Sequence, residues 1–142
     1  MTMTATISWD GGVSFKAQAG TGHTVMMDGP AKKGGLDKGS RPMELMLMGL
    51  GGCTSFDVMN ILQKSRQDVV DCQANITAQR ADAVPAVFTK VHVHFVVSGR
   101  QLKEKVVARA IRLSAEEYCS ASIMLEQGGV EISHDFEIIE VT

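Results

Sequence analysis

The segment Met43–Leu62, MELMLMGLGGCTSFDVMNIL, decides how the rest of the chain is read. It has the composition of a helix that is apolar on most sides, with Gly49, Gly51 and Gly52 at its middle and Cys53 directly after them. Each interior glycine weakens a helix by roughly 0.5–1 kcal/mol relative to alanine, so the three together cost about 2–3 kcal/mol. The expected compensation is close approach, since glycines let another backbone or a substrate come near Cys53. Ser40 is a suitable N-cap and Pro42 is tolerated in the first turn, and the helix is expected to run to about Ser65. Its uncharged run from Leu45 to Phe56 is 12 residues long, which fits a core helix better than a membrane span. Apolar residues around nearly the whole circumference exceed what one small sheet can cover. A second copy of the chain would cover the rest, which predicts an intimate homodimer.

Working outward, Met3, Ala5, Ile7 and Trp9 alternate with Thr4, Thr6 and Ser8, the period of a strand. Turns at Asp10–Gly12 and Gly20–Gly22 separate it from a second strand that starts near Val13 and a third within HTVMMD. GPAKKGGLDKGS, residues 29–40, reads as a flexible surface loop, and loops of that length often sit by functional sites. Beyond the helix, Val70, Cys72, Ala74, Ile76 and Ala78 alternate with polar residues, and FTKVHVHFVV is the partner strand. An amphipathic helix is expected from about Gln101 to Tyr118, with Leu102, Val106, Ala110 and Leu113 on one side. CSASIMLEQGG then gives a short helical piece, and VEISHDFEIIEV the last strand. The order β-β-β-α-β-β-α-β implies an α+β fold with antiparallel pairing, in a single domain spanning residues 1–142.

Composition narrows the function classes. A chain of 142 residues with 44% hydrophobic and 21% charged residues can bury a core without disulfides. A net charge of -2 gives no electrostatic reason to expect nucleic acid or an anionic membrane as partner. The start, MTMTATISWD, has neither the cationic flank nor the apolar run of a signal peptide, so a cytoplasmic location is expected. Cys53, Cys72 and Cys119, odd in number and widely spaced, do not read as a structural disulfide framework.

Cys53 by itself has two readings, a small buried hydrophobe or a reactive thiol. Alternation places Cys72 on the core face of its strand, where it packs. Cys119 ends the amphipathic helix, where a kink is expected, and can face a site. His92 and His94 share one strand face at a spacing that can chelate zinc, but no third ligand is identifiable. No metal and no cofactor is called for.

RPMELMLMGLGGCTSFDV, together with LSAEEYCSASIML, whose cysteine lies 66 positions after the first, resembles the OsmC/Ohr superfamily in its YhfA-like branch. The resemblance covers essentially the whole chain. It implies an OsmC-like fold with a long central helix, an intertwined homodimer with active sites at the subunit interface, and thiol-dependent reduction of hydroperoxides, organic ones preferably. By that similarity Cys53 matches the peroxidatic cysteine and Cys119 the resolving one, with an external dithiol as reductant. The implied role is defence against oxidative stress.

Such a cysteine must ionise, and lowering a thiol pKa from about 8.5 to about 5.5 needs roughly 4 kcal/mol. Cys53 lies about three turns into its helix, beyond reach of the terminal dipole, so a cation is required. The family pattern implies an arginine from the N-terminal region held by a glutamate. Residues 1–40 contain no arginine, and Arg41 is the first, with Lys32, Lys33 and Lys38 nearby as weaker substitutes. Glu44 is the carboxylate beside it, about 180° around the helix from Cys53. It can orient Arg41, or serve only as a first-turn glutamate favoured by the helix dipole. Asp57, one turn after Cys53, would raise the thiol pKa unless neutralised. The alternative function is a non-catalytic dimer of the same fold that binds a small apolar ligand or acts as a thiol redox sensor.

Overall fold

A computed structural model describes every residue, Met1–Thr142, in two units, Met1–Met48 and Gly49–Thr142. The first unit holds an antiparallel meander of β1 (Ala5–Trp9), β2 (Phe15–Ala19) and β3 (Thr24–Met27), with Ile7 opposite Ala17 and Ala17 opposite Val25. Gly11 and Gly12 adopt positive φ at the first turn, as that tight connection demands, and the Trp9 indole donates to Gly12 O at 2.9 Å.

The stretch read as a flexible loop is instead wound around one carboxylate. Asp28 is buried, its Oδ1 accepts the Gly29 N–H at 2.8 Å, and its Oδ2 accepts those of Leu36 and Lys38 at 3.0 and 3.1 Å. Burial alone would raise the Asp28 carboxyl, but these three main-chain donors and the Ser14 hydroxyl outweigh it and hold the pKa at about 2. Met27 and Ser40 close the base with a β-bridge. Gly39 has to be glycine here, because a Cβ would overlap the Met26 backbone.

The long helix α1 (Pro42–Lys64) begins in the first unit and continues in the second. Its N-cap is Arg41, one residue later than expected. Pro42 takes the first helical position, and the Arg41 main-chain N–H donates to Glu44 Oε1 at 2.9 Å, half of a capping box. In the second unit Leu50, Thr54, Val58 and Leu62 bury one stripe at four-residue spacing. By length and composition alone α1 would suffice to cross a membrane. The buried stripe and a polar tether at Thr54 are features of a core helix.

β4 (Asp68–Arg80) and β5 (Phe88–Arg100) form a long antiparallel hairpin, and β6 (Glu131–Glu140) lies on the other side of β5. Val91, Val93, Phe95 and Val97 bury one face of β5. The β5–β6 pair is parallel, which corrects the expectation of antiparallel pairing throughout. The helical segment between the two strands returns the chain to the end of the sheet where β5 began, and such a crossover makes the next strand parallel. A bulge between Val69 and Asp71 also shifts the β4 alternation, so Val70 is exposed while Cys72, Ala74, Ile76 and Ala78 keep the inward face.

The expected second helix is shorter than read. α2 spans Glu104–Leu113, followed by a π-helical turn at Ser114–Tyr118, and α3 spans Ser120–Gln127. The buried residues of α2 are Val107, Ala110 and Ile111, so Ala110 is where it was expected while Leu102, Val106 and Leu113 are only half-buried.

Candidate functional site

Cys53 and Asp57 stand one turn apart on α1, on the flank of the buried stripe. Both are half-buried. The fully buried Cys119 comes from the break after the π-turn, where its backbone leaves the helical region (φ -76°, ψ 101°) and it becomes the N-cap of α3. Its Sγ accepts the Ser122 N–H at 3.4 Å. Cys53 Sγ, Cys119 Sγ and a carboxylate oxygen of Asp57 all lie within 4.8 Å of one another. Two sulfurs 66 positions apart in the chain are therefore neighbours.

A hydroxyl pair fixes this approach. Thr54 Oγ1 and Ser114 Oγ share a hydrogen bond of 2.9 Å, and the Ser114 hydroxyl also lies 3.2 Å from Thr54 O and 3.4 Å from Asp57 Oδ2. Both residues are buried, so this link joins α1 to the π-turn directly beside the two cysteines. Sequence reading missed it. The only signal was a small hydroxyl residue at a core-facing position of each helix, adjacent in the chain to Cys53 and five residues before Cys119.

The two thiols are not equivalent. Burial first, and then the neighbouring Cys53 and Asp57, push the Cys119 thiol up to about 11, the Ser122 N–H opposing this without reversing it. Cys119 thus keeps its proton at ordinary pH. None of the chain's five side-chain ion pairs engages Asp57. The carboxylate also borders a cavity of about 510 Å³ lined by Asn60, Lys64, Arg109, Leu113 and Tyr118, residues that sequence reading did not connect with the cysteines.

Arg41 and Glu44 lie in the first unit, on the wall of a cavity of about 550 Å³ together with Gly29, Leu36 and Gly39. What joins them is the main-chain contact at the helix start. Cys72 stays on β4, its thiol raised first by burial and then by Asp71. His92 and His94 do find a third group. Asp135 Oδ1 on β6 lies 2.8 Å from His92 Nε2 and 2.7 Å from His94 Nδ1, with Ser133 and Glu137 flanking.

A family model described as OsmC-like protein matches residues 35–135, which include both cysteines and the whole of α1. The chain belongs to the OsmC-like family. Among OsmC-like relatives, Protein YhfA of Escherichia coli strain K12 is 46% identical over 137 residues, 96% of this chain and 98% of that one. A hypothetical protein from Aquifex aeolicus VF5 has a crystal structure 25% identical to the chain, with a TM-score of 0.87 over 100% of this chain and 99% of that one. An organic hydroperoxide resistance protein OsmC from Legionella pneumophila shares the fold at 15% identity and a TM-score of 0.71, covering 99% and 98% of the two chains. The OsmC-like α+β fold expected from the sequence is the one observed.

Proposed function

We propose that this OsmC-like chain reduces organic hydroperoxides by a two-cysteine cycle, as a cytoplasmic homodimer in oxidative stress defence. The observation that carries the reading is the meeting of Cys53 and Cys119 within 4.8 Å from distant parts of the chain. Similarity of fold to a protein named for organic hydroperoxide resistance supports it. The Cys53 thiolate attacks the peroxide O–O bond, the leaving alkoxide takes a proton to become an alcohol, and Cys53 is left as a sulfenic acid. The Cys119 thiol displaces the sulfenic hydroxyl, water departs, and a Cys53–Cys119 disulfide forms. The sulfurs must close to ~2.05 Å for this, a side-chain movement of a few ångströms. An external dithiol restores both thiols by exchange.

Cys119 suits the resolving role. A resolving thiol waits protonated until a sulfenic acid forms beside it, and burial keeps Cys119 in that state. The activating cation in this reading is Arg41, supplied across the dimer, with Glu44, which accepts its main-chain N–H at the helix start, as the carboxylate beside it. One observation favours the sensor alternative: the third group beside the two sulfurs is Asp57, a carboxylate in no ion pair, where an activating cation would be needed.

The test is mass spectrometry of the reduced protein after one equivalent of cumene hydroperoxide. The expected product is an internal Cys53–Cys119 bridge that a dithiol reverses, with no bridge in Cys53→Ser and a slower one in Arg41→Ala. Slow, unselective oxidation, or a Cys53→Ser protein that consumes peroxide as fast as the wild type, rules the reading out.

A further inference from the structure

A peroxide-reducing dithiol gains nothing from a carboxylate placed against both of its sulfurs, so Asp57 calls for a different account. We propose that Cys53, Asp57 and Cys119 form a binding site for one thiophilic divalent cation, Zn²⁺ in particular, in the reduced protein. Two ligands stand one helical turn apart on α1 and the third enters from the N-cap of α3, so the donors converge from two elements. In a tetrahedral site with Zn–S bonds of ~2.3 Å and Zn–O bonds of ~2.0–2.2 Å, ligand atoms stand about 3.3–3.8 Å apart. The three atoms here are already within 4.8 Å, so small side-chain rotations complete the spacing. Two thiolates with one carboxylate favour zinc over magnesium or calcium, which take oxygen ligands.

The surroundings fit as well. Ser114 Oγ lies 3.4 Å from Asp57 Oδ2, and the Ser122 N–H is 3.4 Å from Cys119 Sγ, contacts of the kind that orient ligands from the outer shell. Cys53 and Asp57 are only half-buried, which leaves a side on which water can take the fourth position. Coordination displaces the thiol protons to solvent, and the dication offsets the negative charge that two thiolates and a carboxylate then gather where no ion pair does so. The site exists only while both sulfurs are free. A Cys53–Cys119 disulfide has no thiolate to offer, so metal occupancy and oxidation exclude each other. The proposal shares these sulfurs with the peroxide reading but does not depend on its chemistry.

Reduced wild-type protein titrated with Zn²⁺ against a chromophoric chelator is expected to take up one equivalent. Co²⁺ in its place should give a thiolate-to-metal charge-transfer band in the near ultraviolet. Oxidising the wild type with diamide, which forms the disulfide without any peroxidase activity or sequence change, is expected to abolish both signals. Asp57→Asn should weaken Zn²⁺ binding at least about tenfold at an unchanged circular-dichroism spectrum, while His92→Gln/His94→Gln should leave it intact. No uptake by the reduced protein, no thiolate band with Co²⁺, binding that survives diamide, unweakened binding by Asp57→Asn, or loss of binding in the histidine variant each overturns the proposal. A chain that binds Zn²⁺ but never turns over peroxide sinks the peroxidase reading alone, and one that turns over peroxide without binding Zn²⁺ sinks this one alone.

Discussion

Cys53 and Cys119 carry the same functional group in very different settings. The first sits half-buried mid-helix, and the second is fully buried at a helix break with its proton held by burial and by two acidic neighbours. Only the thiolate is nucleophilic, so a raised pKa means less reactive sulfur at any ordinary pH. Iodoacetamide at pH ~8 is therefore expected to label Cys53 ahead of Cys119, and labelling of Cys119 should climb only as the pH approaches about 11. Peptide mapping of the alkylated protein reads both rates, and equal labelling of the two would contradict the assigned order. Both cysteines were legible as candidates from their motifs. Their separate roles were expected only from the resemblance, and the difference in their surroundings was not legible, because it depends on Ser114 reaching Thr54 across 60 residues of chain, and no local pattern encodes that contact.

Among the elements, strands with strong alternation were readable, and β4 to β5 appears where Cys72, Ala74, Ile76 and Ala78 pointed. Directions and ends were not, since a parallel β6 follows from how the α2–α3 segment crosses back and not from anything within β6 itself. The loop over residues 29–40 was legible as a loop but its order was not, because one aspartate organises it through main-chain donors that composition does not register. Asp28 has a depressed pKa, so its stabilisation is fully present above the unfolded value near ~3.9 and disappears as the pH falls through about 2. Asp28→Asn is expected to lower the urea midpoint at neutral pH, and the gap from the wild type should close toward pH 2. A gap that persists unchanged at the acid end would show that the carboxylate is not the cause. The β5–β6 pair titrates in the other direction. The Asp135 carboxylate, hydrogen-bonded to the ring, raises His94, and the two histidines lower Asp135. The stabilisation from His94 is complete below its unfolded value near ~6.5 and is lost as the pH rises through the raised folded value, while that from Asp135 fades below ~3.9. Thermal melts of His94→Gln should therefore fall below the wild type at mildly acidic pH and converge with it in alkali. The difference should be small, because these side chains remain wet.

For the molecule as a whole, the open question posed by the sequence was what offsets three glycines in the middle of α1. Of these three glycines, within one chain only Gly51 has a close neighbour, since a Cβ there would meet Ile76 Cδ1 at 2.9 Å, and Gly49 and Gly52 face nothing within 4 Å. The same helix exposes Phe56 at 72%, Met48 at 54% and Met46 at 47%. An apolar surface of that kind beside uncovered glycines is what a close-packing partner needs, since glycine admits another backbone and the large side chains supply the burial. A second copy of the chain would account for both features at once. Sedimentation at micromolar concentration is then expected to give a dimer, and Phe56→Glu, which places a charge on the shared face, should shift it to monomer. The glycines separate this account from a helix that is merely poorly packed. In a free helix Gly52→Ala would add up to ~1 kcal/mol of stability through helix propensity, whereas under a partner's backbone the added methyl has no room and association weakens. A wild type that sediments as a monomer, or a Gly52→Ala chain that is both more stable and equally dimeric, would leave the glycines without this explanation.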